Sequence, residues 1–173
     1  EPIRFEYVNE VVFPMVETFD QSAPFSSVDT IGGTPMTVTE IDGRTVGHVA
    51  LLDSNSQYFD LQTPYCILPC RGTSCFWEMD FKCDNEITAE LAFLTTSNTI
   101  RYEPLVVLRE TDGEWKRICI NLTQVLATNS PSTGDMYARL MIHSAQKNDK
   151  PTHFYFDNLR IITYKTNQFY NLF

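Results

Sequence analysis

Three histidines, five cysteines and scattered serines and carboxylates are the groups in this sequence with the chemistry of catalysis or metal binding. No serine stands in the Gly-x-Ser-x-Gly turn that exposes a hydrolase nucleophile, so His48, His143 and His153 have no evident triad to join. His143 and His153 flank one loop and are expected to face each other across strands, as a metal pair or as a solvated pair at a sheet edge. Glu78 and Asp80 share one face of a strand and are in principle an acid and a base. Alternate charges of that kind ordinarily mark a solvent side. Cys66, Cys70, Cys75 and Cys83 cluster and Cys119 stands apart. Their spacings match no zinc knuckle and no histidine lies nearby. One disulfide, Cys66–Cys70 or Cys70–Cys75, or a set of buried reduced thiols remains, and an odd count leaves at least one thiol unpaired in a monomer.

A different chemistry is carried by Ala138-Arg139-Leu140-Met141-Ile142-His143. Strand alternation sends Ala138, Leu140 and Ile142 to a core and leaves Arg139, Met141 and His143 together on the opposite face. A purely solvated face has no need of Met141. Either this face is concave and lined, or the apolar N-terminal segment covers it.

The elements that must position these residues are strands. Val, Ile and Thr make up 41 of the 173 residues, and the aromatics add to that bias. Short apolar or alternating runs occupy 36–41, 45–52, 57–61, 75–83, 86–95, 104–110, 115–122, 136–143 and 153–164, with turn-forming clusters between them. No segment sustains a helical period; 123–129 has room for one helical turn. The pattern predicts an all-β fold, an antiparallel β-sandwich or barrel of eight or more strands. Residues 1–173 are read as one domain, with 1–35 as an N-terminal segment packing on the sandwich and 36–164 as its core strands. Thr111-Asp112-Gly113 is the clearest hairpin turn, and Trp77 belongs to the core. A net charge of −9 opposes nucleic acid and anionic membranes as partners. No apolar stretch is long enough for a transmembrane segment. Asp157 shares parity with Leu159 and Ile161, so without a bulge its carboxylate points to the apolar side and needs a cation or an arginine. Alternatively Phe154 and Phe156 face the core and a bulge at Asp157-Asn158 turns the carboxylate outward, or Arg139 pairs with it.

Three stretches resemble one family. Residues 75–94 read as a strand pair, 112–122 as a turn, a tryptophan and an alternating strand, and 153–161 as His-Phe-Tyr-Phe-Asp-Asn-Leu-Arg-Ile. Together they resemble the jelly-roll modules of the galactose-binding-like class, which include many carbohydrate-binding modules, over roughly 36–164. The resemblance implies a jelly-roll sandwich acting as a non-catalytic glycan-binding module of a secreted or cell-surface bacterial protein. It implies an extracellular, surface or periplasmic location, reached through a signal peptide not contained in a chain that opens Glu1-Pro2. A structural or adhesive domain of a surface lipoprotein without a sugar ligand, or a small jelly-roll lyase or hydrolase, are the alternatives. Many members hold a structural calcium between the chain start and the last strand, and the matching carboxylates here are Glu17 and Asp157. A sugar ligand calls for aromatic platforms beside planar polar groups. The candidates are Tyr58, Tyr65, Tyr102, Trp115 and Tyr137, and the expected docking face carries Arg139 and His143 with Trp115 or Tyr102 at its edge.

Overall fold

Alternation of β-branched and aromatic residues with polar ones dictates extended chain, and extended chain is what forms. A computed structural model of the protein describes residues 5–20, 28–69, 73–129 and 136–170. In chain order it contains β1 (Phe5–Glu17), β2 (Asp29–Gly33), β3 (Thr37–Ile41), β4 (Arg44–Leu51), β5 (Tyr58–Gln62) and β6 (Cys66–Leu68). There follow β7 (Cys75–Cys83), β8 (Ile87–Leu94), β9 (Ile100–Leu108), β10 (Lys116–Asn121), the short helix α1 (Thr123–Asn129), β11 (Met136–Ala145) and β12 (Thr152–Tyr170). The nine runs read from the sequence correspond to β3–β5 and β7–β12, and the expected helical turn is α1. Three strands lie outside those runs. β6 has three residues and β2 is Asp-Thr-Ile-Gly-Gly, both too short or too glycine-rich to show alternation.

The strands build two antiparallel sheets. The first has the order β10-β7-β12-β4-β3, with β1 alongside β12. The second has the order β2-β5-β11-β8-β9, with β6 alongside β11. The fold is an antiparallel β-sandwich of jelly-roll type. The inward sets are those that alternation selects: Cys75, Trp77, Met79, Phe81 and Cys83 on β7, and Ile87, Ala89, Leu91 and Phe93 on β8, all buried. Across the interior, Phe59 of the second sheet meets Phe154 of the first edge-to-face at 4.8 Å, a favoured aromatic geometry.

Sheet membership departs from the sequence reading in three places. Glu114 N–H donates to Thr111 O at 3.1 Å, and Asp112 and Gly113 both have positive φ, so the turn forms as expected. It joins β9 of the second sheet to β10 of the first, so it is a crossover and not a hairpin. Likewise 75–94 is not a strand pair, because Asp84-Asn85 carries the chain from β7 in one sheet to β8 in the other. His143 and His153 fall on β11 and β12 in opposite sheets and do not face each other. Turn residues specify that the chain reverses; which sheet receives it is decided by distant pairing. The tight hairpin is at Asp42-Gly43, where φ values of 53° and 73° suit a two-residue turn and Ile41 pairs with Arg44.

Candidate functional site

On the outward face of the second sheet, strand register gathers polar and aromatic side chains. β11 lies between β8 on one side and β5 and β6 on the other. Ala138, Leu140 and Ile142 go inward, and Tyr137, Arg139, Met141 and His143 go outward. Arg139 is opposite Ala92, and Ala92 is opposite Tyr102, so one transverse row runs guanidinium, methyl, phenol over about 10 Å. The next row sets Met141 between Gln62 and Glu90, and the third sets His143 between Asp60 and Thr88. Beside the third row, a side chain at Gly32 would come within 3.0 Å of Asp60 Oδ2 and 3.5 Å of the Tyr58 ring, so glycine leaves room for both.

Tyr58, Tyr65, Tyr102 and Tyr137 are all exposed large apolar groups on this sheet. Tyr65, in the segment between β5 and β6, places its ring 4.5 Å from the Arg139 guanidinium carbon. The Arg139 Nε is buried and has no hydrogen-bond partner. Arg139, His143 and Tyr102 therefore share the outward face of the second sheet. β1 does not lie over them, because it pairs with β12 in the opposite sheet. Asp60, Gln62 and Glu90 join the face without having been singled out. Alternation in Tyr58-Phe59-Asp60-Leu61-Gln62 already put them on a polar side, but only the pairing of β5 with β11 puts that side beside Arg139.

Trp115 is elsewhere, and its expected place at the edge of this face is corrected. It follows the crossover into β10 and stands on the first sheet. There its Nε1 donates to Asp42 Oδ2 at 3.1 Å and Arg44 lies 4.9 Å from the ring. Tyr155 is 6.4 Å from Trp115 and stacks on His48 at 4.5 Å. The Nε2 of His48 is 3.0 Å from Nδ1 of His153, so His48 is the partner of His153. Burial, then the neighbouring His153 charge, lowers the His48 pKa.

The same outer surface holds the acid cluster. Phe154, Phe156, Leu159 and Ile161 all face the core, which is possible because the register shifts between Asp157 and Arg160, with Asn158 at φ 50°. The bulge turns Asp157 away from the interior. Asn158 N–H donates to Asp157 Oδ1 at 2.7 Å, and Arg44, not Arg139, reaches Oδ2 at 3.5 Å. Asp80 accepts from Arg117 Nε at 2.6 Å, Asn158 Nδ2 at 2.9 Å and Arg44 at 3.2 Å. Burial pushes the Asp80 carboxyl up, and these bonds outweigh it and hold it below the usual carboxylate range. For Asp157 burial prevails, with Asp20 and Asp80 adding to the upward shift. Glu78 is held by Arg160 at 2.8 Å. Glu78, half-buried, and Asp80, buried, are thus ion-paired carboxylates on the outward side of β7. Glu17, at the end of β1, is buried on the inward parity with Met15, and its Oε1 accepts Phe19 N–H at 2.7 Å. Among the described residues no three His, Cys, Asp or Glu side chains converge as a metal cluster.

Of the cysteines, Cys66, Cys75, Cys83 and Cys119 are free thiols; Cys70, and with it either expected disulfide, lies outside the described residues. Burial pushes Cys66 up to about 11 and Cys75 and Cys83 to about 12, so these thiols stay protonated and inert.

No protein-family profile matches the chain, and no curated protein matches it in sequence. Solved structures do match. The CBM22-1–GH10 modules of the Clostridium thermocellum endo-1,4-β-D-xylanase 10B, complexed with xylohexaose, superpose with a TM-score of 0.61 at 17% identity over 87% of this chain and 28% of that one. The CBM22-1 xylan-binding domain of Paenibacillus barcinonensis Xyn10C gives 0.58 at 10% identity over 88% and 94%. A CBM28 module specific for non-crystalline cellulose gives 0.59 at 15% identity over 88% and 94%. The fold is the jelly-roll β-sandwich that these three carbohydrate-binding modules also have. This chain spans little more than a quarter of the xylanase chain and nearly the whole of the two isolated modules. In the jelly-roll sandwich formed here, Tyr58, Tyr65, Tyr102, Tyr137 and Arg139 lie on the side of the second sheet, and the acid cluster with Trp115 and the exposed Tyr164 lies on that of the first. Among the described residues no helix is long and apolar enough to cross a membrane.

Proposed function

We propose that the protein is a non-catalytic glycan-binding module whose ligand lies on the outer face of the second sheet. The observation that carries this reading is the gathering of Tyr58, Tyr65, Tyr102 and Tyr137 around Arg139 and His143 on one sheet. Rings supply flat apolar cover for pyranose faces, and the guanidinium, imidazole, carboxylates and carboxamide between them suit hydroxyl groups. That structural neighbours include a xylan-binding domain and a module specific for non-crystalline cellulose supports the ligand class. A polymer of that kind is met outside the cell, so the proposal includes a secreted or surface-exposed bacterial setting, which cell fractionation tests. A glycan array followed by titration calorimetry tests the site. The double substitution Arg139→Ala with His143→Ala should abolish binding while changing stability by less than about 1 kcal/mol. Binding that survives it overturns the assignment of the face. Incubation with the bound polysaccharide should leave its chain length unchanged; shortening would support the lyase or hydrolase alternative.

The proposal extends to a structural calcium held by Glu17 and Asp157. What supports it is charge at Asp157, where burial, with Asp20 and Asp80 nearby, raises the carboxyl pKa despite Arg44 at 3.5 Å; Glu17 stands on the inward parity of β1, so its carboxylate must swing round the end of that strand to share the cation. Two carboxylates are short of the six to eight oxygens calcium takes, so backbone carbonyls and water must complete the set. Thermal melting with calcium against chelator decides: at one hundred times its dissociation constant a native-state ligand adds about 2.7 kcal/mol, and an unchanged midpoint removes the site.

A further inference from the structure

The ion pairs among the described residues engage Arg44, Lys82, Arg117, Lys147 and Arg160, and none of them engages Arg139. Arg139 stands on the central strand of the proposed ligand face, stacked on Tyr65, with its Nε buried and no partner for it. A charged donor left in that condition costs more than an unmade neutral hydrogen bond. The neighbouring acid, Glu90, is opposite Met141, one position along, and does not reach it. On its other flank is only the methyl of Ala92, and beyond that the exposed ring of Tyr102. Ala92 is wholly buried between these side chains, so what the face presents there is the half-buried, planar Arg139 cation itself, set between two exposed phenol rings.

A sugar hydroxyl satisfies one such N–H. A carboxylate satisfies two in parallel and neutralises the charge as well, which is the geometry that a guanidinium fork matches and a lysine does not. We propose that the glycan bound here carries uronic-acid units, with the uronate carboxylate forked on Arg139 and its ring covered by Tyr65 or Tyr102. This rests on the glycan-binding reading and names the ligand class within it.

Titration calorimetry on the full chain tests it with matched probes: glucuronoxylan oligosaccharides and oligogalacturonates, each beside the same preparation with its carboxyl groups reduced to alcohols. At least one acidic probe should bind at least tenfold more tightly than its reduced form, and the difference should shrink as salt is raised. Arg139→Gln should erase the preference, and Arg139→Lys should retain part of it. Equal binding of acidic and reduced forms, or binding confined to neutral xylan, cellulose or mannan oligosaccharides, overturns the uronate proposal and leaves the glycan reading standing. Failure of every acidic and neutral probe overturns both. The comparison of acidic and reduced probes uses the unmodified protein, so it stands even where a variant misfolds.

Discussion

Trp115 and Tyr102 are both aromatic residues near turns, and their fates differ because of what surrounds each ring. Trp115 is committed, with its Nε1 on Asp42 and Arg44 against its face, whereas Tyr102 is half exposed beside an alanine. We expect Trp115→Ala to leave glycan affinity within twofold and to lower stability by about 1 kcal/mol, the scale of a cation–π contact with a partly exposed hydrogen bond. Loss of binding on titration would place the ligand on the first sheet instead. His48 gives a second expectation at this scale. Its folded pKa lies below its unfolded one, near 6.5, so as pH falls the unfolded chain takes up the proton first. Stability is then lost as pH falls from about 7 toward the folded pKa. The melting temperature of the wild type should drop more between pH 7.5 and 5.5 than that of His48→Gln, and parallel curves would contradict it. Neither the His48–His153 pair nor the Arg44–Asp157 pair was legible in the sequence, since the partners are over a hundred residues apart and nothing local marks them.

Among the elements, what alternation specifies and what it does not are cleanly separated. The inward sets of β7, β8 and β11 follow from residue parity alone, because burying one face of a strand fixes its register. The sheet to which a strand belongs does not follow, as the crossovers at Asp84-Asn85 and Asp112-Gly113 demonstrate. Parity carried back from Leu159 and Ile161 failed at Asp157, and the bulge offered as its alternative is what forms: one extra residue in β12 resets the alternation, and the signal for it, an Asn able to take positive φ, is weak by itself. Glycines in β4 and its hairpin allow a test of positioning. At Gly47 a methyl would come within 2.8 Å of both Met36 Sδ and Phe19 Cζ, while at Gly43 nothing lies within 4 Å but φ is 73°. Gly47→Ala should destabilise by about 1–3 kcal/mol through overpacking. Gly43→Asn, which tolerates that backbone, should stay within about 0.5 kcal/mol. Urea midpoints measure both, and a harmless Gly47→Ala would mean that Phe19 does not close over the middle of β4.

At the scale of the whole molecule, β1 runs antiparallel to β12 with Phe5 opposite Tyr170. Chain entering at β1 and chain leaving from β12 therefore share one end of the sandwich. Joined into a longer polypeptide, the module hangs from two adjacent leads as a side branch, and neighbours on either side are held close together instead of being spaced apart by its length. The same adjacency makes the order of strands in the chain dispensable. A permuted chain in which a short glycine-serine linker joins 170 to 5 and new ends open at the exposed Asp53-Ser54-Asn55 turn should fold to the same sandwich. Its circular dichroism and its glycan affinity should match those of the parent, since neither the inward faces nor the row of Tyr102, Ala92 and Arg139 is cut. A permutant that fails to fold would show that the link between β4 and β5 must stay intact while the two sheets come together.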